Sequence, residues 1–258
     1  MKNTLKEKIL KGEKTLGTMV ESASPFVVEG LGRTGLDYVV IDNEHSPVEA
    51  ETSAALIRAA ELTDLCPIIR VREISRPAIL KVLDVGVQGL IIPNVYSVED
   101  VKTIVRHGKY APIGKRGCCP SRKDGWGFDD TRDPPSQMKD MNEQVLIIPQ
   151  CETVGALESI EEIVKVEGVD GIFVGPYDLS IDMGIPGQFS TPEFQQAIRK
   201  IIDVCHENGK FCMCFAGTGE AAVDGFKKGY DSITVGMDMG MLIGAYKQAV
   251  GSIRENCK

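Results

Sequence analysis

Two carboxylates in this chain each stand just past a short apolar run. Glu152 follows Val145-Leu-Ile-Ile-Pro-Gln-Cys, and Asp178 follows Gly171-Ile-Phe-Val-Gly-Pro-Tyr. Two carboxylates with open coordination positions suit a hard, oxygen-preferring cation such as Mg²⁺ or Mn²⁺. Acids also favour helix N-termini, so each could equally cap a helix. A third run, Tyr38–Asp42, delivers Asp42 and then His45, one of 3 histidines in the chain. A carboxylate beside an imidazole fixes its tautomer and raises its basicity, which suits a general base. The plainer reading is a surface-loop histidine, and Glu44 could replace Asp42 as its partner or lie behind a metal. A fourth run, Pro67–Val71, carries Arg70 as its only charge. A guanidinium there could hold a carboxylate or stabilise an enolate, or could pair with a neighbouring acid. Asp84, on the next helical stretch, is the candidate partner. Finally, Gly175-Pro-Tyr-Asp178 offers backbone amides near a helix start, an anion-binding nest, although Gly-Pro is also ordinary turn chemistry.

The elements that must position these residues alternate. Strand-like runs fall at Leu16–Val20, Tyr38–Asp42, Pro67–Val71, Gly89–Pro93, Val145–Gln150, Gly171–Val174, Lys210–Phe215 and Ser232–Val235. Amphipathic stretches separate most of them: Val48–Glu61, Pro77–Val85, Val98–Arg106, Val154–Val166, Pro192–Glu207 and Gly219–Lys228. A short stretch at Pro25–Glu29 opens the series and Asp238–Ala249 closes it. Short runs rich in Val and Ile, each followed by a helical segment, mark parallel β units, and eight of each predict a (β/α)8 TIM barrel. A doubly wound open sheet is the alternative, but no G-x-G-x-x-G follows an early strand. Gly30, Gly35, Gly86, Gly209 and Gly229 stand where helices should stop, and Pro47, Pro77 and Pro192 where they should start. In a parallel barrel the site gathers at the carboxyl ends of the strands, where the charged residues above are expected.

One connection is anomalous. From His107 to Glu143 the chain is rich in Pro, Gly and charge and weakly periodic, as lids and disordered segments are. It carries a basic cluster, from Arg106 and Lys109 to Arg116, Arg122 and Lys123, expected beside the site to attract an anionic substrate. No linker or repeat divides the chain, so residues 1–258 read as one domain.

Bulk properties narrow the function. A net charge of -8 and a pI near 5.1 argue against nucleic acid. The charged start lacks an apolar signal core, and no apolar stretch is long enough to span a bilayer, so the cytoplasm is expected, with no membrane partner. The 8 cysteines form no C-x-x-C pair and read as reduced thiols, Cys118-Cys119 in its polar loop being the exception to watch. No lysine ends a strand-like run, and neither a G-x-S-x-G elbow nor a P-loop is present. Metal-assisted chemistry therefore leads over imine, serine-hydrolase and phosphoryl-transfer chemistry.

Taken together, several segments resemble the HpcH/HpaI aldolases, the metal-dependent pyruvate aldolases related to 4-hydroxy-2-oxoheptanedioate aldolase. They are Asp42-Asn-Glu-His45, Arg70, Leu83-Asp84-Val-Gly-Val-Gln88, Tyr110-Ala-Pro-Ile-Gly-Lys-Arg116-Gly117, Gln150-Cys-Glu152-Thr and Asp170-Gly-Ile-Phe-Val-Gly-Pro-Tyr-Asp178. The resemblance implies a (β/α)8 barrel whose last helix is exchanged between subunits of a homo-oligomer, a hexamer built from dimers. It implies a divalent metal (Mg²⁺ or Mn²⁺, with Co²⁺ also compatible) on Glu152 and Asp178. Asp42 and His45 would form the proton-transfer dyad, Arg70 would touch the pyruvyl group, and Asp84 would support catalysis near a subunit boundary. Gln150, Gly175, Pro176, Tyr177 and Arg116 would contact substrate. The implied reaction is reversible cleavage of a 4-hydroxy-2-oxo acid to pyruvate and an aldehyde through a metal-bound pyruvate enolate. Decarboxylation of an oxaloacetate-type diacid, carbon–carbon cleavage of an acyl-CoA, and a non-catalytic binding barrel are the alternatives. Where many members carry a tryptophan near the end of the first strand, this chain has Gly17-Thr-Met-Val. After Gly117 it continues Cys-Cys-Pro-Ser-Arg-Lys-Asp-Gly-Trp126, which leaves the aldehyde open.

Overall fold

Each of the apolar runs becomes a strand in the computed structural model, which describes residues 2–128 and 132–257. The strands are β1 (Thr15–Val20), β2 (Tyr38–Asp42), β3 (Cys66–Arg70), β4 (Gly89–Ile92), β5 (Leu146–Cys151), β6 (Gly171–Val174), β7 (Phe211–Ala216) and β8 (Ser232–Met237). Each pairs in parallel with the next, and β8 pairs with β1, so the sheet closes on itself. The fold is a (β/α)8 barrel.

Period-two alternation sorts the strand residues into two cores. One parity points into the barrel, where Tyr38, Val40, Ile68, Ile148, Phe173 and Met213 pack together. The other points outward to the helices and builds the larger core, including Val39, Ile41, Ile69, Ile147 and Ile172. Tyr38 is fully buried inside, its hydroxyl 3.0 Å from both Thr234 and Ser232. A Cβ at Gly17 would come within 2.2 Å of that ring, so the barrel needs glycine there.

The helices are α1 (Thr4–Leu10), α2 (Pro25–Leu31), α3 (Ala50–Glu61), α4 (Arg76–Asp84), α5 (Val98–Gly108), α6 (Pro134–Gln144), α7 (Val154–Glu158), α8 (Ile160–Ile163), α9 (Pro176–Asp182), α10 (Pro192–Glu207), α11 (Gly219–Lys228) and α12 (Asp238–Asn256). Side-chain caps fix several starts, with Ser75, Ser97, Thr191 and Thr218 each accepting a backbone N–H of the first turn. The expected stretch Val154–Val166 is two short helices broken at Ser159. Gly30 lies inside α2 rather than ending it, whereas Gly229 caps α11 at φ 114°.

Two helices were not legible. The first, α1, closes the amino end of the barrel: Leu5 is fully buried in the inner core, and Asn3 is tied to Gln88 and Gln144. The second, α6, lies within the connection expected to be irregular. That connection runs from the end of α5 to the start of β5, and so lies at the amino end of the barrel. The basic cluster is thus on the opposite face from the strand carboxyl ends, and the expectation that it lies beside the site is corrected for a single chain. Four of its charges, on Lys109, Arg116, Arg122 and Lys123, are also occupied. Lys109 is buried, its Nζ donating to the carbonyls of Asn142 (2.6 Å) and Val145 (2.5 Å), and Arg122 pairs with Glu61.

The last helix, α12, lies loosely on the barrel and exposes Met241, Leu242, Ile243, Tyr246, Val250 and Ile253. Among the described residues no helix is long and apolar enough to cross a membrane.

Candidate active site

The inward parity of the strands, continued upward, ends in polar residues. On β2 it reads Tyr38, Val40, Asp42; on β3, Cys66, Ile68, Arg70; on β5, Leu146, Ile148, Gln150 and then Glu152. The same spacing that fills the core therefore aims these side chains into the mouth of the barrel.

Asp42 and Arg70 are register partners. Arg70 grips the carboxylate as a fork, Nε to Oδ1 at 2.9 Å and Nη2 to Oδ2 at 2.7 Å. Asp42 Oδ1 also accepts the backbone N–H of Glu44 at 3.1 Å and of His45 at 3.4 Å. Burial alone would lower the pKa of Arg70, but Asp42 outweighs it and holds the guanidinium further above its usual range. Asp42 thus orients Arg70 and shapes the turn carrying His45. It does not touch the imidazole.

Glu44 is the carboxylate facing the His45 ring, with Oε2 3.6 Å from Nε2 and 3.3 Å from Arg70 Nε. Its other oxygen, Oε1, accepts from the Asn94 amide at 3.1 Å. Burial raises the pKa of Glu44, and Asp42 and Asp178 add to the rise against the pull of Arg70. His45 itself is well exposed.

Glu152 lies one step past β5 and is 5% exposed. Its Oε1 accepts the backbone N–H of Asn94 at 2.7 Å, and its Oε2 accepts from Gln150 Nε2. Burial raises its pKa first, and the charges of Glu44 and Asp178 raise it further. Asp178 sits in the first turn of α9, after Gly175 and Pro176. A Cβ on Gly175 would come within 2.9 Å of both Glu152 Oε2 and Gln150 Nε2, so a larger residue here would push those two side chains aside. Tyr177 is exposed, its ring set edge-on against Phe189 at 4.9 Å.

Two expected site residues are elsewhere. Asp84 ends α4 at the amino face, where it pairs with Arg116 at 3.0 Å and lies 3.7 Å from Lys123. Arg116 is buried there, 4.7 Å above the Tyr110 ring. Within one chain neither reaches Glu152, and Asp84 is not the partner of Arg70. Conversely, Asn94 joins Glu152 to Glu44, although no sequence reading singled it out. The available signal was a polar residue just past the apolar run Gly89–Pro93.

Among the described residues no group of three or more His, Cys, Asp and Glu side chains forms a ready metal cage. The donor chemistry nevertheless fits a hard cation held by two carboxylates. Glu44, Glu152 and Asp178 crowd negative charge, Arg70 is already committed to Asp42, and Gln150 Oε1 and Glu44 Oε2 are buried oxygens without a hydrogen bond.

Known proteins give the arrangement a family. The chain is 32% identical over 240 residues to 2-keto-3-deoxy-L-rhamnonate aldolase of Escherichia coli K12, covering 92% of this chain and 88% of that one. Its fold matches an HpcH/HpaI aldolase from Desulfitobacterium hafniense DCB-2 with a TM-score of 0.90, at 28% identity, over 97% of this chain and 96% of that one. It matches the citrate synthase SbnG at 0.87, with 30% identity and 98% of each chain covered. The sequence model of HpcH/HpaI aldolase/citrate lyase matches residues 16–245. The chain therefore belongs to the HpcH/HpaI aldolase/citrate lyase family and is a carbon–carbon lyase.

Proposed function

We propose that the enzyme is a divalent-metal-dependent aldolase that reversibly cleaves a 4-hydroxy-2-oxo acid to pyruvate and an aldehyde. The observation that carries this reading is the crowding of Glu44, Glu152 and Asp178 at the barrel mouth around a guanidinium already neutralised by Asp42. Glu152 and Asp178 would hold the cation (Mg²⁺, Mn²⁺ or Co²⁺), which supplies Lewis-acid charge to the 2-oxo acid when bound.

The chain's own residues supply the rest. His45, with Glu44 beside its ring, takes the proton of the 4-hydroxyl. The C3–C4 bond breaks, the aldehyde carbonyl forms, and the electron pair passes into the 2-oxo fragment, which becomes pyruvate when the His45 imidazolium returns that proton to C3. Arg70, held rigid by Asp42, offers preorganised donors to the developing oxyanion; Nη1 takes no part in the fork. Gln150 and the backbone at Gly175–Tyr177 would receive the substrate.

Asp84 and Arg116 lie at the other end of the barrel, so a part for them in the chemistry requires a neighbouring subunit. The apolar face of α12 supports such an assembly, with the helix exchanged between subunits of a hexamer.

Hydrogen–deuterium exchange at pyruvate C3, followed by proton NMR, tests the reading without knowledge of the aldehyde. Exchange that needs Mg²⁺ and is lost in Glu152→Ala is the expected result. No exchange with metal demonstrably bound would replace it with chemistry on another 2-oxo acid, and faster turnover of oxaloacetate than of aldol substrates would make the enzyme a decarboxylase.

A further inference from the structure

Past β4 the chain turns at Asn94, which holds a left-handed backbone with φ 56°. Asparagine tolerates this region better than most residues. The preceding Pro93 has no N–H, so Asn94 supplies the first donor beyond the strand. Its backbone and its side chain each donate to a carboxylate of the site: the backbone N–H binds Glu152 Oε1 at 2.7 Å, and the side-chain Nδ2 binds Glu44 Oε1 at 3.1 Å.

We propose that Asn94 is a positioning residue that couples the two halves of the site, its backbone fixing Glu152 and its side chain fixing Glu44. The proposal rests on the aldolase reading above, in which Glu152 holds the cation and Glu44 serves His45.

The surroundings show why the turn is fixed. The next residue, Val95, accepts the Thr153 hydroxyl at 2.6 Å, one position beyond Glu152. Thr153 in turn caps α7 by accepting the N–H of Ala156 at 3.0 Å. A Cβ at Gly155 would come within 2.5 Å of the Tyr96 carbonyl, so the two loops lie directly on each other. The segment after β4 is thereby clamped to the segment after β5, and the Asn94 N–H is carried to the Glu152 carboxylate.

Glu44 depends on the side chain. Its Oε2 faces Arg70 and the His45 ring, while Oε1 takes its one hydrogen bond among the described residues from Asn94. Without the amide, the carboxylate can rotate away from the imidazole. The consequence falls on proton transfer and leaves pyruvate binding untouched.

Two substitutions separate the roles. Asn94→Gly keeps the left-handed turn and the N–H but deletes the amide. Asn94→Val keeps an N–H but resists positive φ; Asn94→Ala strains the turn less and takes its place should the valine variant not fold. Mn²⁺ alone is titrated calorimetrically into chelator-stripped protein, and kcat and KM for pyruvate are read from the exchange assay, in which the His45 imidazole takes the C3 proton in the reverse direction. Asn94→Gly is expected to bind Mn²⁺ as the parent does and to lose about tenfold in kcat at unchanged KM, the scale of one hydrogen bond to a charged group. Asn94→Val is expected to lose about tenfold or more in Mn²⁺ affinity. An unchanged kcat in Asn94→Gly would overturn the Glu44 assignment, and an unchanged Mn²⁺ affinity in the strained variant would overturn the Glu152 assignment. A parent enzyme that binds Mn²⁺ but exchanges no pyruvate would sink the aldolase reading and the catalytic half of this proposal, leaving the Mn²⁺ affinities to decide the other half.

Discussion

Arg70 and Asp42 stand side by side in the β2–β3 register, and the guanidinium holds both oxygens of a carboxylate that is fully buried. A buried pair of this kind can be worth little against an apolar replacement, yet breaking it from one side strands a charge. The site therefore carries a folding liability at the residue proposed to serve its chemistry.

Removing Arg70 should be felt twice. Arg70→Ala leaves Asp42 buried and unpaired, costing about 3–5 kcal/mol of stability, measurable as a lower urea midpoint. Turnover should fall by about 10²–10³, the scale of one lost oxyanion donor. Arg70→Lys restores charge without the fork and should recover part of the stability. A parent-like midpoint in Arg70→Ala would show that the pair does not hold this end of the barrel together.

Burial raises the pKa of Glu44 above the ordinary 4.5. A carboxyl that keeps its proton longer when folded favours the folded state below 4.5, and that contribution is lost as pH rises through the folded pKa. Glu44→Gln abolishes the effect. Its melting temperature should fall less than the parent's as pH rises from 4.5, a comparison that thermal melts in metal-free buffer can make directly.

Gly175→Ala places a methyl 2.9 Å from Glu152 Oε2 and Gln150 Nε2. Something must shift, and overpacking of this kind costs about 1–3 kcal/mol. The displaced group is the candidate metal carboxylate, so Mn²⁺ affinity measured by calorimetry should weaken while circular dichroism stays parent-like. An undisturbed affinity would mean that Glu152 can retreat without consequence.

Lys109 is a buried cation at the far end of the barrel, and burial pushes its pKa down despite Asp170. Lys109→Met removes its bonds to the carbonyls of Asn142 and Val145 and to Asp170. A loss of about 2–4 kcal/mol is expected, with KM for pyruvate unchanged, because the charge holds the long connection rather than attracting substrate. A raised KM at parent stability would restore the steering role.

The stripe on α12 should be covered in solution. Ile243→Asp combined with Tyr246→Asp is expected to reduce the mass seen by sedimentation to that of smaller species. A parent protein that sediments as a monomer would remove the exchanged-helix arrangement.

All eight strands were legible, because runs such as Tyr38–Asp42 and Gly171–Val174 are short, apolar and bounded by turn residues. Their ends shifted by one or two residues elsewhere, as at Phe211–Ala216. The helix Pro134–Gln144 escaped because it buries only Asn142, so it has no apolar stripe to read. The carboxylates Glu152 and Asp178 could be placed at strand ends from position alone. Who holds whom could not. The tie of Asp42 to Arg70 depends on β-register, and that of Glu44 to Asn94 on a turn two strands away. Asp84 looked close to Arg70 in sequence, but a helix of nine residues carries it to the opposite end of the barrel.

The amino-terminal helix has one further consequence. With Leu5 seated in the inner core and Asn3 fastened to Gln88 and Gln144, the barrel is stoppered from below. Above that plug the interior is packed side chains, so reactants and products share the one doorway at the carboxyl ends of the strands. On the aldolase reading, the fragment held against Glu152 is then expected to be first in and last out, an ordered sequence of arrival and departure.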